Sequence, residues 1–498
     1  MKIKILLVYA NTPMEPLLPL GIASIATALN NAGYDVRLFD TTLYASRHGN
    51  SQAERASSGQ VKPVDYESVG VFEKTTDIFV DFESMVAEHK PQLIGVSCVE
   101  ATYQLSCQLL ERISEQHIPV ILGGAFATFS ARLVLENPLF DFACSGEGET
   151  AIVALAESLS AGHDGTGIVN IWTRKGSTII PPPTGGKLLN MDDLAIPRFD
   201  VFAPERIYRP MSGRLYRMMA LEFSRGCPYK CTYCSAPALG KQFSDQGRWL
   251  RHKSIDRIMQ EIEYYARNYN VGYFYFISET FLAMPKPKRE EFYERYSEFK
   301  IPFWFNTRPE TVQEDDIRKL EEIGCHRISM GLETGNATFR KAVLGRNYSN
   351  EVAIRAAQII INSKIEFSVN NMIGFPDETR EMVFETIELN RCFTANSHSV
   401  SVFQPFRGTQ LHEYAVRMGY YPQTALCGSS FSESVLDMPS LSRDDIKGLY
   451  RTFNLYRTLD KALWPKIRTA ENFDDEGNMA FEQLSTMVGS SLDPFDDE

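Results

Sequence analysis

No apolar run in this 498-residue chain approaches the length of about 20 residues that a membrane-spanning helix needs, so no span is expected. The first apolar run, in "MKIKILLVYANTP", is short and lacks a small-residue cleavage site after it; it reads as a buried first strand rather than an export signal. Positive charge is also in short supply, with 51 Lys and Arg against 63 Asp and Glu and a net charge of −12. Without a basic field to meet a phosphate backbone, nucleic acid is not an expected partner. The nine cysteines are an odd number, which argues against a disulfide framework. A cytoplasmic location is expected, where thiols stay reduced. There is no internal repeat and no sustained heptad pattern. No G-x-G-x-x-G follows the first strand, which counts against a nicotinamide-binding Rossmann domain.

What is present reads as a folded α/β protein of several domains, 44% apolar and 23% charged. Residues 1–160 alternate apolar strands ("IKILLVYA", "DVRLFD", "QLIGVSC", "IPVILGG", "FDFACSG") with helices expected at 78–89, 103–116, 130–136 and 149–160. That rhythm predicts a doubly wound, Rossmann-like parallel sheet with ligands beyond the carboxyl ends of its strands. Residues 45–75 read as a polar surface excursion, and 161–215 as a Gly/Pro-rich linker with one short hairpin. Strands near 218–224, 272–278, 302–306, 326–331, 367–373 and 399–403 make 216–405 a partial (β/α)6 barrel of TIM type. Residues 406–498 lose the strand rhythm and are expected to be mostly helical, to help build a substrate pocket and to close on the acidic "DPFDDE".

"SRGCPYKCTYCSAPALGKQF" places Cys227, Cys231 and Cys234 within eight residues, in the loop after the first barrel strand. A single cysteine is ordinarily a small buried hydrophobe, and Cys98, Cys107, Cys144, Cys325 and Cys392 are expected to be that. Cys427 lies in the variable region and reads as a buried or idle thiol, with contact to substrate as the alternative. Three cysteines beside Gly226 and Pro228 do not fit packing. They suit an iron–sulfur cluster or a zinc ion, and zinc would want a fourth ligand such as His252.

The C-x3-C-x-aromatic-C pattern, with Tyr233 before Cys234, resembles the signature of the radical S-adenosyl-L-methionine (SAM) enzymes. "ISMGLETGN", "LGRNYS", "FSVNNMIGFPDET" and "FQPFRGTQLHEYAVRMGY" resemble later segments of that barrel, in the same order. "LPLGIASIATALNNAGYDVRLFD", "PQLIGVSC", "VILGGAFAT" and "FACSGEGE" resemble the cobalamin-binding domain fused to some members. No D-x-H-x-x-G stretch occurs, so no histidine is placed below the cobalt; the cobalamin-dependent subfamily commonly lacks it.

The resemblance implies a cobalamin-dependent radical SAM methyltransferase. A [4Fe-4S] cluster on Cys227, Cys231 and Cys234 would cleave SAM. The resulting 5′-deoxyadenosyl radical would take hydrogen from an unactivated centre, which would then be methylated from methylcobalamin. The alternative is a non-methylating cobalamin-dependent member that forms or contracts a ring, oxidises or cyclises. Either needs a small-molecule, peptide or protein substrate and an external electron donor of the flavodoxin or ferredoxin type. On the SAM side the implied contacts are Glu333, Ser278 and Glu279 (in place of the family's acidic pair), Ile373 and Gly374 beside the adenine, and Arg308, which meets a carboxylate or forms a solvated salt bridge. On the cobalamin side they are Ser97 and Thr102, Gly123 and Gly124, and Gly146 and Glu147, at successive strand ends.

Overall fold

The computed structural model describes residues 2–45, 55–56, 58–431 and 433–489; the acidic end and part of the polar excursion lie outside these. The chain divides into two compact units. The first takes in the N-terminal strands, Val64–Gly226 and Ala238–Gly272; the second takes in Cys227–Pro237, the chain from Tyr273, and residues around Gln60.

In the first unit, strands and helices alternate as β1 (Lys4–Tyr9), α1 (Leu20–Asn31), β2 (Asp35–Asp40), α2 (Ile78–His89), β3 (Leu93–Ser97), α3 (Tyr103–Glu111), β4 (Val120–Gly123), α4 (Ala125–Glu136), β5 (Phe142–Cys144) and α5 (Glu149–Ser160). The parallel order β2-β1-β3-β4-β5 is that of a flavodoxin-like sheet, whose switch point lies between β1 and β3. One face of β1 and β3, carrying Leu6, Val8, Ile94 and Val96, packs with Phe82, Val86, Leu109 and Val134 of α2, α3 and α4. Helix α4 begins at Ala125, five residues before the expected start. Its first turn is capped by Gly124, and non-helical Ser130 (φ −136°) separates that turn from the rest. The small residues of "GGAFAT" therefore hide a helical turn that periodicity alone reads as loop.

The Gly/Pro-rich stretch is not all linker. β6 (Ile171–Lys175) and β7 (Thr178–Ile180) continue the sheet antiparallel from β5. A second hairpin joins β8 (Tyr208–Met211) to β9 (Arg214–Glu222) through Ser212 and Gly213, both at positive φ (52° and 84°), the geometry that twists two strands tightly together. After β10 (Ser224–Arg225) come α6 (Ser235–Gln242), β11 (Arg251–His252) and α7 (Ile255–Tyr269).

The second unit runs β12 (Tyr273–Ile277), α8 (Lys286–Tyr296), β13 (Phe303–Thr307), α9 (Glu314–Glu322), β14 (Cys325–Glu333), α10 (Ala337–Ala342), α11 (Asn350–Ile361), β15 (Glu366–Ile373), α12 (Arg380–Arg391) and β16 (Ser397–Val402). β12 to β16 pair in parallel, in sequence order, as the curled sheet of a partial barrel. Alternation separates its faces. Phe274, Phe276, Phe303 and Phe305 are fully buried, and Phe276 and Phe303 meet Phe292 and Tyr296 of α8. Tyr275, Trp304, Asn306, Ser329, Asn370 and Ser399 take the opposite, inner face. The remainder is helical, with α13 (Gln410–Arg417), α14 (Arg443–Thr458), α15 (Trp464–Ala470) and α16 (Asp475–Gly489). No helix of the described residues is long and apolar enough to cross a membrane. The packing assigned to the isolated cysteines holds for Cys98, Cys144 and Cys325, and Cys107 is half-buried. Cys392 departs from it: the residue caps the exposed end of α12, and its thiol donates to the Glu388 carbonyl at 3.4 Å.

Candidate active site

In the second unit, the three-cysteine loop is tied down residue by residue. The Thr232 N–H donates to the Leu344 carbonyl (3.2 Å) and its hydroxyl to the Val343 carbonyl (2.7 Å), while its own carbonyl accepts from the Leu411 N–H (3.1 Å). Gly345, at φ +67°, lets the "LGRNYS" turn pass beneath the loop; a Cβ there would lie 2.9 Å from the Lys230 carbonyl oxygen. Here only glycine supplies both the backbone conformation and the clearance. All three thiols are free, with Cys231 buried and Cys227 and Cys234 half-buried. The Cys227 Sγ lies 3.7 Å from the Thr280 hydroxyl. The Arg308 guanidinium donates through Nη1 to the Cys231 Sγ at 3.0 Å. Burial pushes the Cys227 thiol up and the Cys234 thiol up to about 11, with the neighbouring sulfurs and Glu279 adding to the rise.

Three free thiols of one loop, close enough to affect one another's ionisation, suit a cluster held by three protein ligands. Among the described residues no group of three or more His, Cys, Asp or Glu, these three included, is gathered closely enough to hold a lone metal ion. Occupying the loop must displace the thiol protons.

The other expected SAM contacts converge on the same strand ends, with their side chains already engaged. Glu333 ends β14 at φ +69°, its carboxylate 2.8 Å from the Arg346 Nη1. Arg346 also donates to the Tyr233 hydroxyl (2.8 Å) and the Gly331 carbonyl (2.5 Å), joining the loop to β14. Ser278 is buried after β12, and the adjacent Glu279 is exposed. Ile373 is fully buried in the helix-side core, and Met372, one residue earlier and half-buried, also packs against that core. Arg346, Tyr229 and Thr280 touch the loop or its partners and are residues that sequence reasoning did not single out. Their signal was adjacency to motifs already quoted, such as the arginine within "LGRNYS".

Gly374 (φ +81°) opens the turn after β15. The Gly374 and Phe375 N–H groups donate to one carboxyl oxygen of Glu378, at 2.6 and 3.2 Å. The other oxygen is buried without a hydrogen-bond partner among the described residues. Complete burial outweighs those two bonds and raises the Glu378 carboxyl from 4.5 to about 8. Between these values the folded chain keeps the proton while the unfolded chain has lost it. Stability therefore falls as pH rises from 4.5 to about 8, by roughly 1.4 kcal/mol per pH unit from this group, and then levels off. Glu378→Gln keeps the shape without the titration. Its melting temperature relative to wild type should climb through that window and reach a plateau above pH 8; parallel curves from pH 5 to 9 would refute the assignment.

In the first unit, the glycines lie where the sheet ends. Gly124, at φ +97°, packs against β3, where a Cβ would lie 3.1 Å from the Cys98 carbonyl; Gly123 ends β4, and Ser97, half-buried, ends β3. The Thr102 hydroxyl is spent on the Val99 backbone, donating to its carbonyl at 3.3 Å. Gly146 (φ +104°) brings the chain under the Phe243 ring. The Glu147 carboxylate is held by Arg225 (2.6 Å), Arg251 (2.8 Å) and the Leu189 N–H (2.7 Å), and these contacts depress its pKa despite burial. Glu147 thus braces the strand end.

A model of the B12 binding domain matches residues 64–156, and one of the radical SAM superfamily matches 221–389. A protein of Pyrococcus horikoshii, the uncharacterized methyltransferase PH0819, is 26% identical over 344 residues, 68% of this chain and 72% of that one. The anaerobic magnesium-protoporphyrin IX monomethyl ester cyclase of Rubrivivax gelatinosus is 23% identical over 339 residues, 65% of this chain but 58% of that enzyme. The fold matches a radical SAM methyltransferase, TsrM of Kitasatospora setae, solved with cobalamin and a [4Fe-4S] cluster. The TM-score is 0.66 at 14% identity, covering 99% of this chain and 100% of that one. With a B12 binding domain at residues 64–156 and a radical SAM domain at 221–389 both matched, in that order, the chain combines the two domains of the cobalamin-dependent radical SAM enzymes.

Proposed function

We propose that the protein moves a methyl group onto an unactivated carbon or phosphorus of a small molecule or peptide, with Cys227, Cys231 and Cys234 as the cluster ligands. The observation that carries this is the clamped loop of three free thiols at the strand ends of a partial barrel. When bound, the cluster with SAM supplies a carbon radical and cobalamin supplies the methyl group. The chain's own part is to bind, orient and exclude water. Thr232 and Gly345 keep the loop in place, and Gly374 and Phe375 order the adjacent turn through Glu378. The inner face of the barrel, with Asn306, Ser329, Asn370 and Ser399, offers neutral hydrogen-bonding groups suited to a polar, uncharged part of a substrate. In the first unit, Gly123 and Gly124 let backbone approach a flat ring. The electron is drawn from an external flavodoxin- or ferredoxin-type donor, in the cytoplasm.

Anaerobic protein reconstituted with iron, sulfide and cobalamin is incubated with SAM and a reductant, and products are quantified by mass spectrometry. Both 5′-deoxyadenosine and S-adenosylhomocysteine are expected, the latter only with cobalamin. Deoxyadenosine alone would select the non-methylating reading. Protein that binds no iron would overturn both.

A further inference from the structure

Arg308 was expected to meet a carboxylate or a solvated partner. Its surroundings assign it differently. It closes β13 in extended conformation (φ −117°, ψ 149°), as Pro309 after it requires. Its side chain is buried, and three of its faces are occupied. Nε and Nη2 grip Glu310 at 2.8 and 2.6 Å, the guanidinium lies 3.7 Å over the Tyr229 ring, and Nη1 points at the Cys231 Sγ, 3.0 Å away. Only 5% of the residue is exposed, so a substrate or SAM carboxylate has little room to reach it. Tyr229 lies between Cys227 and Cys231, so the stacked ring and the N–H···S bond hold the same segment of loop.

We propose that Arg308 is a positioning residue that donates a charge-assisted hydrogen bond to the cluster through the Cys231 sulfur, fixing that ligand and raising the cluster's reduction potential. This rests on the reading of the three cysteines as cluster ligands. A donor on a ligand sulfur withdraws negative charge, and the reduced cluster carries one charge more than the oxidised one, so the bond favours reduction. Glu310 sets the fork of the guanidinium, and Tyr229 sets its plane. Lysine would preserve the charge but neither constraint.

The test is the midpoint potential of the reconstituted protein without SAM, followed by electron paramagnetic resonance, alongside iron content and SAM affinity by equilibrium dialysis. Arg308→Gln should retain iron and show a more negative midpoint than wild type, with Arg308→Lys in between and SAM affinity little changed. An unchanged midpoint in Arg308→Gln overturns the proposal, as does a variant whose only defect is weaker SAM binding, which would return Arg308 to the carboxylate role. Should Arg308→Gln lose its iron, Arg308→Lys is read by the same criterion: a lowered midpoint supports the role and an unchanged one refutes it. Wild-type protein that takes up no iron would instead refute the reading of the cysteines.

Discussion

Cys231→Ala protein should fail to retain a full complement of iron on reconstitution, and its yield of 5′-deoxyadenosine from SAM should fall by more than about a hundredfold. Loss of groups that only orient a metal ligand commonly costs ten- to a hundredfold, and loss of the ligand itself costs more. Cys231 is the buried member of the three, and its sulfur is the acceptor for the Arg308 guanidinium. On the proposed reading, removing it takes away a ligand, and it also strands a buried N–H donor, which adds a folding cost of about 1–3 kcal/mol. Cys392→Ala, at the exposed end of α12, is the matched control and should leave iron content and cleavage unchanged. Iron analysis with product quantification checks both; a Cys231→Ala protein with wild-type iron and product would remove the cysteines from the site.

The second large effect concerns Arg346. This buried guanidinium serves the Glu333 carboxylate, the Tyr233 hydroxyl and the Gly331 carbonyl, and so links the cysteine loop to β14. In Arg346→Met the carboxylate of Glu333, its side chain only 13% exposed, is left without its counter-charge. Breaking one side of a buried pair costs about 3–5 kcal/mol. Urea unfolding followed by tryptophan fluorescence should register a loss of that size. The double variant Arg346→Met, Glu333→Gln should recover a substantial part, because the unpaired charge is gone. A single variant within 1 kcal/mol of wild type, or a double variant as unstable as the single one, would show that the pair is not the brace described.

Much of this architecture was legible in the sequence because period and punctuation are local. β2 and α5 run over the residues that the pattern predicted, and the second-unit strands lie within a few residues of their expected positions. The departures come where local signals conflict with tertiary context. The first turn of α4 was masked by glycines and small residues. β6 and β7 sit in a Gly/Pro-rich stretch that would be linker but for the free edge of β5. Of the site, the cysteines could be read directly because three thiols in one short loop have few other uses.

The sequence by itself determined the order of elements, the two kinds of domain and the three-cysteine loop, since each is encoded in neighbouring residues. Only the tertiary structure decided how each charged side chain is employed. Glu333 and Glu147, expected to face cofactors, are held by arginines of other segments, Arg346 in one case and, far more remote in sequence, Arg225 and Arg251 in the other. Arg308 reaches back to a sulfur 77 positions earlier. An ion pair or an N–H···S bond depends on distances of about 3 Å between groups that the fold alone brings together, and no local pattern encodes that distance.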